Sequence, residues 1–333
     1  MGSAIMKRKE KPITLGVDLG GTKVEAALVD DKGHIIFSQR YPTYSKKGHA
    51  AVIADIQACV KDCMMKASKD AVALGIGVAG QVEPSTGSVK FAPNLGWRDV
   101  PLGGELEKSI GLPVIVMNDV RAATYGEWLY GAGKGMSDMV CVFVGTGIGG
   151  GVVCGGQMLE GCSNTAGELG HITIVAGGRR CHCSNLGCLE AYAGGWAIAE
   201  RAKETVKDNI RAGQKLMHIA GTIDKITAST ISSAFKDKDS LASQLVEETG
   251  MYLSSGMVSI VNAFNPCLII LGGGIIENLP ELVSMVEQRV REHALEAAVK
   301  NLKIVKAALG GHAAVIGAAA MAKNKIAGPK NSD

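Results

Sequence analysis

Three cysteines stand close together in the segment GHITIVAGGRRCHCSNLGCLE, at Cys181, Cys183 and Cys188. Two histidines of the same segment, His171 and His182, could add imidazole nitrogens to these sulfurs. Glycines follow His171 and apolar residues are few, so we expect a surface loop rather than a part of the core. One histidine with three cysteines makes up the four ligands of a closed tetrahedral zinc site. The alternative is that three free thiols lie in a loose loop.

The cysteine content and the charge limit the classes of function. The chain has nine cysteines, an odd number, and its start lacks the apolar core of a secretion signal. We therefore expect a cytoplasmic protein, in which clustered thiols bind metal rather than form disulfides. No apolar run approaches the roughly 20 residues that span a bilayer, so no membrane partner is expected. The net charge is +3 and the basic residues are dispersed apart from a KRKEK run near the N-terminus, which predicts no nucleic-acid partner.

Two glycine-rich segments of similar design must position any phosphate chemistry. Residues 13–30 and residues 139–158 both predict a strand, a tight turn and a second strand. The turn GTGIGG matches the dinucleotide fingerprint, but the following GVVCGG is too rich in glycine and valine to open the helix that this fingerprint needs. Backbone N–H groups of such hairpins could form an anion nest. Glycine would allow positive φ and close approach of a phosphate there, although two ordinary hairpins are the alternative.

The remaining elements suggest a duplicated α/β architecture. Asp18 and Gly145 are equivalent positions of the two glycine-rich segments, at an offset of about 127 residues. At 333 residues the chain is long for one domain and natural for two. Helical spacing predicts helices over residues 49–67 and over most of residues 196–260. Buried strands are predicted over residues 71–80 and 112–119, and a strand, a triple-glycine turn and a helix over 267–290.

Several polar side chains lie at predicted turns and strand ends. Asp119 ends the strand LPVIVMND, where a carboxylate can accept a hydroxyl proton or can cap the following helix. Asn94 lies in a turn after a proline, and its amide, like that of Asn118, offers both a donor and an acceptor. An Asx-turn is the alternative role for such an amide. Glu168 and Glu190 offer carboxylate acceptors, and each taken alone could be no more than a solvated charge.

The motifs DLGGTK, FAPNLGW, ND, GTGIGGG, GELGH and C-x-C-x4-C-x-E occur here in this order. Together they resemble the ROK family of repressors and sugar kinases, in the actin-like ATPase superfamily, and most closely its bacterial glucokinases. The resemblance runs from about residue 13 to residue 323. It implies an α/β fold of two actin-like (ribonuclease H-like) domains that flank a cleft, with a zinc-binding loop. The expected domains are residues 12–120, joined by the C-terminal helix 312–326, and residues 121–311, with the zinc loop at 171–190.

The resemblance also implies the roles of individual residues. Asp119 is expected to be the catalytic base. The sugar shell is expected to consist of Asn94, Asn118, Asp119, Glu168, His171 and Glu190. The nucleotide is expected to contact Gly20, Gly21, Thr22, Lys23, Gly145, Thr146, Gly147, Gly272, Gly273 and Gly274. The zinc ligands are expected to be His171, Cys181, Cys183 and Cys188.

Two departures from the family pattern occur near these residues. Val120 follows the ND pair where the family usually has alanine, which is a change of packing. His182 and Ser184 replace the glycines of the common C-G-C-G, so His182 is a rival metal ligand. The closed zinc site is expected to be structural, fixing the loop that carries Glu190 and orienting His171. Its loss should therefore raise the KM for sugar and change the KM for ATP little.

The expected activity is ATP-dependent phosphorylation of a hexose at the 6-hydroxyl, with Mg²⁺ bridging the phosphates. Glucose, giving glucose 6-phosphate, is the expected substrate. N-acetylmannosamine, fructose, allose and mannose are alternatives within the family, and polyphosphate is an alternative donor. A sugar-responsive repressor would need a helix-turn-helix domain, for which we see no room before the first strand near residue 13. A non-catalytic sugar sensor is a third possibility, and the family analogy suggests a homodimer.

Overall fold

The structure is a computed structural model that describes residues 12–67 and 69–328. The KRKEK run of the N-terminus lies outside the described residues. The chain divides into two compact units. Unit 1 contains the described residues up to Tyr130 together with those from His312 to residue 328, and unit 2 contains Gly131–Gly311.

Strands and helices alternate through both units. The strands of the described residues are β1 (Thr14–Leu19), β2 (Lys23–Val29), β3 (Ile35–Pro42), β4 (Leu74–Val78), β5 (Gln81–Glu83), β6 (Ser88–Ala92), β7 (Trp97–Val100), β8 (Val114–Asn118), β9 (Met139–Val144), β10 (Ile148–Cys154), β11 (Gln157–Met158), β12 (Leu268–Gly272) and β13 (Lys303–Lys306). The α-helices are α1 (His49–Ala67), α2 (Leu102–Ile110), α3 (Asp119–Tyr130), α4 (Glu190–Ala193), α5 (Gly195–Asp208), α6 (Gln214–Ala220), α7 (Ala228–Lys236), α8 (Ser240–Phe264), α9 (Gly274–Asn278), α10 (Glu281–His293), α11 (Glu296–Val299) and α12 (Ala313–Ile326).

The two units contain five-stranded sheets of the same design. Unit 1 has the strand order β3-β2-β1-β4-β8, and unit 2 has the order β11-β10-β9-β12-β13. In each sheet the first three strands in the order pair antiparallel, and the last two are joined to them and to each other in parallel. The equivalence of Asp18 and Gly145 in the sequence thus has a counterpart in strand order. The α/β class is confirmed, and both sheets are mixed.

A small antiparallel sheet, β5-β6-β7, was not predicted from the sequence. Its strands are short and are separated by segments that contain proline and glycine, which ordinarily indicate loops. Pro93–Leu95 forms a single 3-10 turn between β6 and β7 and carries Asn94. The sheet therefore serves to hold the predicted Asn94 turn between two paired strands.

The last helix, α12, completes unit 1 by very close contact with its sheet. A Cβ at Gly16 of β1 would overlap the Val315 carbonyl, and a Cβ at Gly75 of β4 would overlap the Ala318 carbonyl. On the other side, a Cβ at Gly317 would overlap the backbone of α3 at Ala122. Glycine is required at these positions because main chain packs directly on main chain.

Unit 2 has its own apolar core between its sheet and its helices. The largest cluster of buried residues draws side chains from β9, β10 and β12 and from α5, α7, α8 and α10. The longest helix, α8, has 25 residues and buries a face that includes Leu245, Leu253 and Met257. Across residues 12–67 and 69–328, none of the helices combines the length and the apolarity needed to cross a membrane.

Candidate active site

In unit 1 the first glycine turn leads from β1 to β2. Gly20 N donates to Lys23 O at 2.9 Å and closes the turn, which leaves Gly21, Thr22 and Lys23 at the surface. A Cβ at Gly21 would lie 2.9 Å from the Asn94 carbonyl oxygen. The turn DLGGTK and the turn FAPNLGW are therefore neighbours in space, although 67 residues separate the two segments in sequence.

Two carboxylates lie at the carboxyl edge of the sheet of unit 1. Asp18 pairs with Gly77 of β4, and a Cβ at Gly77 would lie 3.2 Å from the Cα of Asp119. Gly77 thus provides the space in which Asp119 lies over the sheet beside Asp18. Burial and the nearby charge of Asp119 raise the pKa of Asp18 from 3.8 to about 6. Asp18 belongs to the DLGGTK motif but was not assigned a role from the sequence.

Asn118 rather than Asp119 caps helix α3. Its Oδ1 accepts hydrogen bonds from Val120 N at 3.0 Å and from Arg121 N at 3.1 Å, the pattern of an N-cap residue. Its Nδ2 donates to the Gly80 carbonyl at 3.3 Å. Asp119 Oδ1 also accepts from Val120 N, at 2.9 Å. The capping role that the sequence allowed for Asp119 is therefore already filled by its neighbour.

Asn94 is exposed in its 3-10 turn. Within the described residues its side chain makes no hydrogen bond that would form an Asx-turn. The Asn94 amide is thus accessible to a ligand. The Asn118 amide is less so, because its oxygen caps α3 and its nitrogen donates to the Gly80 carbonyl, which leaves one N–H for other partners.

In unit 2 the second glycine turn leads from β9 to β10. Gly145 N donates to Gly147 O at 2.9 Å and closes the turn, with Thr146 exposed at its apex. A Cβ at Gly147 would overlap the carboxylate of Glu190. Glu190 Oε2 accepts a hydrogen bond from Ile148 N at 2.8 Å. The glutamate of the thiol segment therefore lies directly against the second glycine turn.

Our expectation that these turns use positive φ is wrong. Gly20, Gly21, Gly145 and Gly147 are absent from the residues with positive φ in the described part of the chain. Glycine is instead needed at Gly21 and Gly147 because another residue approaches too closely for a side chain. The physical reason is contact distance, not backbone conformation.

The GELGH motif lies flat on strand β10. A Cβ at Gly170 would overlap the Ile148 carbonyl, and a Cβ at Gly150 would lie 2.6 Å from the Leu169 side chain. Leu169–His171 forms a 3-10 turn whose His171 N donates to the Glu168 carbonyl at 3.0 Å. Because Gly150 and Gly170 have no side chains, Glu168 and His171 can lie at the start of β10, beside the second glycine turn.

A cluster of potential metal ligands lies between the 3-10 turn and α4. Among the residues that the structure describes, this group consists of His171, Cys181, Cys183 and Cys188, whose ligand atoms all lie within 4.8 Å of one another. Cys183 Sγ is 3.6 Å from Cys188 Sγ, and Cys181 Sγ is 3.7 Å from His171 Nδ1. Zn–S bonds of about 2.3 Å in a tetrahedral site place two sulfurs about 3.8 Å apart. The donor set and these two separations are compatible with a tetrahedral metal site.

The loop around this cluster is less superficial than the sequence suggested. Residues 172–189 form no helix and no strand, but Cys181 and Cys188 are 3% and 0% exposed. They pack with Ala191 and Tyr192 in a small core of their own. The expectation of a surface loop is thus correct for the backbone and wrong for these two side chains.

His182 takes part in a different contact from His171. Its ring stacks on Trp196, with ring centroids 4.1 Å apart and an interplanar angle of 24°. Trp196 Nε1 in turn donates to Glu190 Oε1 at 3.2 Å. Glu190 is therefore held through both of its oxygens, one by a backbone N–H and one by an indole.

A cavity of about 460 Å³ opens beside the second glycine turn, within unit 2. Its walls include Gly145, Thr146, Trp196 and Gly274. Of the three glycines of GGG, only Gly274 lines this cavity. A Cβ at Gly272 would lie 2.8 Å from the Phe143 ring, and Gly273 has a φ of +89° beneath the Val144 carbonyl. Gly272 and Gly273 thus serve packing and the turn.

The ROK family model matches residues 14–325. The chain belongs to the ROK family. The glucokinase of Halalkalibacterium halodurans is 35% identical over 318 residues, which cover 93% of this chain and 95% of that protein. The DNA-binding transcriptional dual regulator NagC of Escherichia coli is 30% identical over 316 residues, 94% of this chain and 75% of the regulator.

Among solved structures, the chain is similar to a ROK family glucokinase from Streptomyces griseus in complex with glucose and AMPPNP. The two have a TM-score of 0.82 and 34% sequence identity, over 93% of this chain and 99% of the other. The resemblance that the motifs carried is therefore confirmed at the level of family and fold.

Proposed function

We infer that this ROK family chain is a hexose kinase that transfers the γ-phosphoryl group of ATP to the 6-hydroxyl of glucose. The similar glucokinases support this activity. The proposed chemistry rests on the position of Asp119. It lies at the carboxyl edge of a sheet, and its neighbour Asn118 already caps the following helix. A kinase needs a carboxylate in such a place to accept the proton of the attacking hydroxyl.

In the proposed reaction the 6-oxygen of the sugar forms a bond to the γ-phosphorus, and the bond from phosphorus to the ADP oxygen breaks. The hydroxyl proton passes to the Asp119 carboxylate. Asn94 is proposed to bind ring hydroxyls through its exposed amide, with Glu168, His171 and Glu190 as further sugar contacts. Asn118 is proposed to contribute mainly by holding α3, and so Asp119, in place.

The two glycine turns are proposed to bind the phosphates, and the cavity beside Thr146 is proposed to take the rest of the nucleotide. The cavity of about 460 Å³ is of the size that small-molecule sites have. Mg²⁺ would neutralise charge on the transferring phosphate, and Asp18 is its proposed ligand, since carboxylates hold Mg²⁺ in such sites. The raised pKa of Asp18, caused by burial and by Asp119, fits a group whose charge a dication compensates.

Zinc is proposed as the structural metal of His171, Cys181, Cys183 and Cys188. A closed four-ligand site leaves no position for substrate, so its contribution is to fix the loop that ends at Glu190. His171 Nδ1 lies on the side of Cys181, which leaves Nε2 as the nitrogen that could meet sugar. The two actin-like domains flanking a cleft, the domain boundaries at residues 120 and 121 and the homodimer stay predictions.

The decisive variant is Asp119→Asn, because it removes the base and keeps the shape. We expect kcat to fall about 10²- to 10⁴-fold, with the Kd for glucose changed little. Coupled ADP release and calorimetric glucose titration measure the two quantities. The matched control is Asp99→Asn, an exposed residue of β7, which should leave both unchanged. A kcat of Asp119→Asn within threefold of wild type would remove Asp119 from this role.

A panel of sugars tests the acceptor. Glucose, N-acetylmannosamine, fructose, allose and mannose should be compared by kcat/KM, with ATP and with polyphosphate as donors. We expect glucose with ATP to be the best pair. The similarity to the regulator NagC makes a non-catalytic sugar-responsive protein the second candidate. Sugar binding without ADP release from any sugar in the panel would favour that candidate.

A further inference from the structure

The segment that follows the thiol cluster is held to the second glycine turn by hydrogen bonds to its main chain. Gly195 N donates to the Gly145 carbonyl and Trp196 N donates to the Thr146 carbonyl, both at 3.0 Å. Glu190 adds its bond to Ile148 N at 2.8 Å. The turn that is proposed to hold phosphate is therefore attached at three points to the segment from Glu190 to Trp196.

The side chain of Trp196 connects three features that the proposed function treats separately. It forms part of the cavity wall beside Gly145 and Thr146. Its indole N–H donates to Glu190 Oε1 at 3.2 Å. Its ring stacks on His182 at a centroid distance of 4.1 Å. A movement of this one ring would alter the cavity wall and the Glu190 carboxylate together.

His182 lies between two of the thiols in sequence, so the position of its ring depends on the fold of the loop. Cys181 Sγ lies 3.9 Å from Glu190 Oε1, which places the cluster in direct contact with the same carboxylate. His182 is not a member of the four-residue ligand group found in the described part of the chain. Its stacking on Trp196 is the contact through which the loop reaches the cavity.

We propose that Trp196 is a positioning residue that couples the metal-binding loop to the nucleotide cavity, with His182 as the contact on the loop side. The proposal rests on the function proposed above. It changes the expectation drawn from the sequence, that metal loss raises the KM for sugar and changes the KM for ATP little. When the loop loses its metal, the His182 ring loses its fixed position, and Trp196 moves in the cavity wall as well as at Glu190.

The first test measures binding without turnover, by calorimetric titration of MgADP and, separately, of glucose. His182→Ala should weaken MgADP by about 2- to 10-fold, the range that an aromatic stack contributes. His182→Phe keeps a ring for stacking and should restore wild-type affinity. Zinc content, measured on each variant, should stay at the wild-type level because His182 is not a ligand. A wild-type MgADP affinity in His182→Ala, or no rescue by His182→Phe, would overturn the proposal.

The second test separates the two contacts of the indole. Trp196→Phe keeps a ring in the cavity wall but loses the N–H that binds Glu190, so glucose affinity should fall more than MgADP affinity. Trp128→Phe, in α3 of unit 1, is the matched control and should change neither. Equal losses for the two ligands in Trp196→Phe would contradict a role of the indole N–H in orienting Glu190.

The third test removes the metal. In a Trp97→Phe/Trp128→Phe protein, Trp196 is the remaining tryptophan, since the chain has three. Chelation should shift its fluorescence and weaken MgADP binding, and added zinc should reverse both. If chelation weakens glucose binding alone, the coupling is absent. If wild type releases ADP with glucose but His182→Ala binds MgADP normally, only this inference fails. If wild type phosphorylates no sugar, the proposed function fails.

Discussion

At the scale of single residues, the carboxylates of unit 1 bear on both the proposed chemistry and the stability of the fold. Asp18 is partly buried and lies near Asp119, and both effects disfavour its charged form. In the proposed site this pair would serve phosphate and Mg²⁺ binding, although the folded protein alone would be more stable without the charge of Asp18. This conflict between function and stability can be measured.

Asp18→Asn should stabilise the protein at neutral pH and have little effect near pH 4. The folded pKa of about 6 lies above the ordinary 3.8, so the unfolded chain ionises first as pH rises. The contribution of protonated Asp18 to the free energy of unfolding is therefore full below pH 3.8 and is lost as pH rises through about 6. The gain at pH 7.5 should be at most about 3 kcal/mol. Urea unfolding at both pH values measures it, with Asp99→Asn as the control. A gain at pH 4 equal to that at pH 7.5 would exclude this cause.

Gly147→Ala tests the close approach of Glu190 to the second turn. The new Cβ would overlap the Glu190 carboxylate, so the carboxylate must leave Ile148 N and lose its orientation. We expect glucose KM to rise about tenfold, as for the loss of a charged hydrogen bond. Gly104→Ala in α2, where a Cβ has open space, is the control. An unchanged glucose KM would mean that Glu190 does not act on the sugar.

At the scale of elements, the sequence predicts local structure well and long-range approach poorly. The order of strand, glycine-rich turn and strand around Asp18 and around Gly145 predicts both hairpins, because each hairpin is formed by residues that are close together in the sequence. The small sheet of β5, β6 and β7 was missed, since its proline and glycine are ordinary loop signals. The contact between Gly147 and Glu190 joins residues that no local pattern relates. Asp18 could have been found, because a charged residue inside an apolar strand is a signal in itself.

The thiol loop gives the prediction at this scale. Wild type should bind one zinc per chain, and His171→Ala should lose it, whereas His182→Ala should keep it. The reason is that His171 Nδ1 lies 3.7 Å from Cys181 Sγ, whereas the His182 ring is stacked on Trp196. Elemental analysis of dialysed protein decides, with Cys154→Ser, an exposed thiol of β10, as the control. Zinc loss in His182→Ala with retention in His171→Ala would reverse the assignment of the histidine ligand.

At the scale of the whole molecule, two sheets of the same strand order share one chain. Unit 1 is discontinuous, since α12 returns to it after all of unit 2. The packing of α12 on β1, β4 and α3 depends on glycines at Gly16, Gly75 and Gly317. The Ala-rich composition of this helix was visible in the sequence, but its place against the first unit came only from the family resemblance.

Gly317→Ala should destabilise unit 1 and leave unit 2 folded. The added Cβ would overlap the Ala122 carbonyl of α3, and such overpacking costs about 3 kcal/mol. Hydrogen exchange followed by mass spectrometry should show faster exchange in β1, β4 and α3 than in β9 and β12. Gly311→Ala, with open space around its Cβ, is the control. Equal loss of protection in both units would show that they unfold together.

The return of α12 also sets the order in which a newly made chain can fold. Synthesis at about 5 to 20 residues per second takes about 10 to 35 s to pass through residues 131–311 before the last helix is made. Through that interval the glycine-lined face of β1 and β4 has no helix to cover it, and unit 2 has all of its described strands only once β13 is made. A chain that ends just before α12 therefore has a complete unit 2 and a unit 1 whose sheet lacks its covering helix. A chain that ends before residue 313 lacks α12, so α3, which carries the proposed base Asp119, loses the helix that packs against it at Gly317.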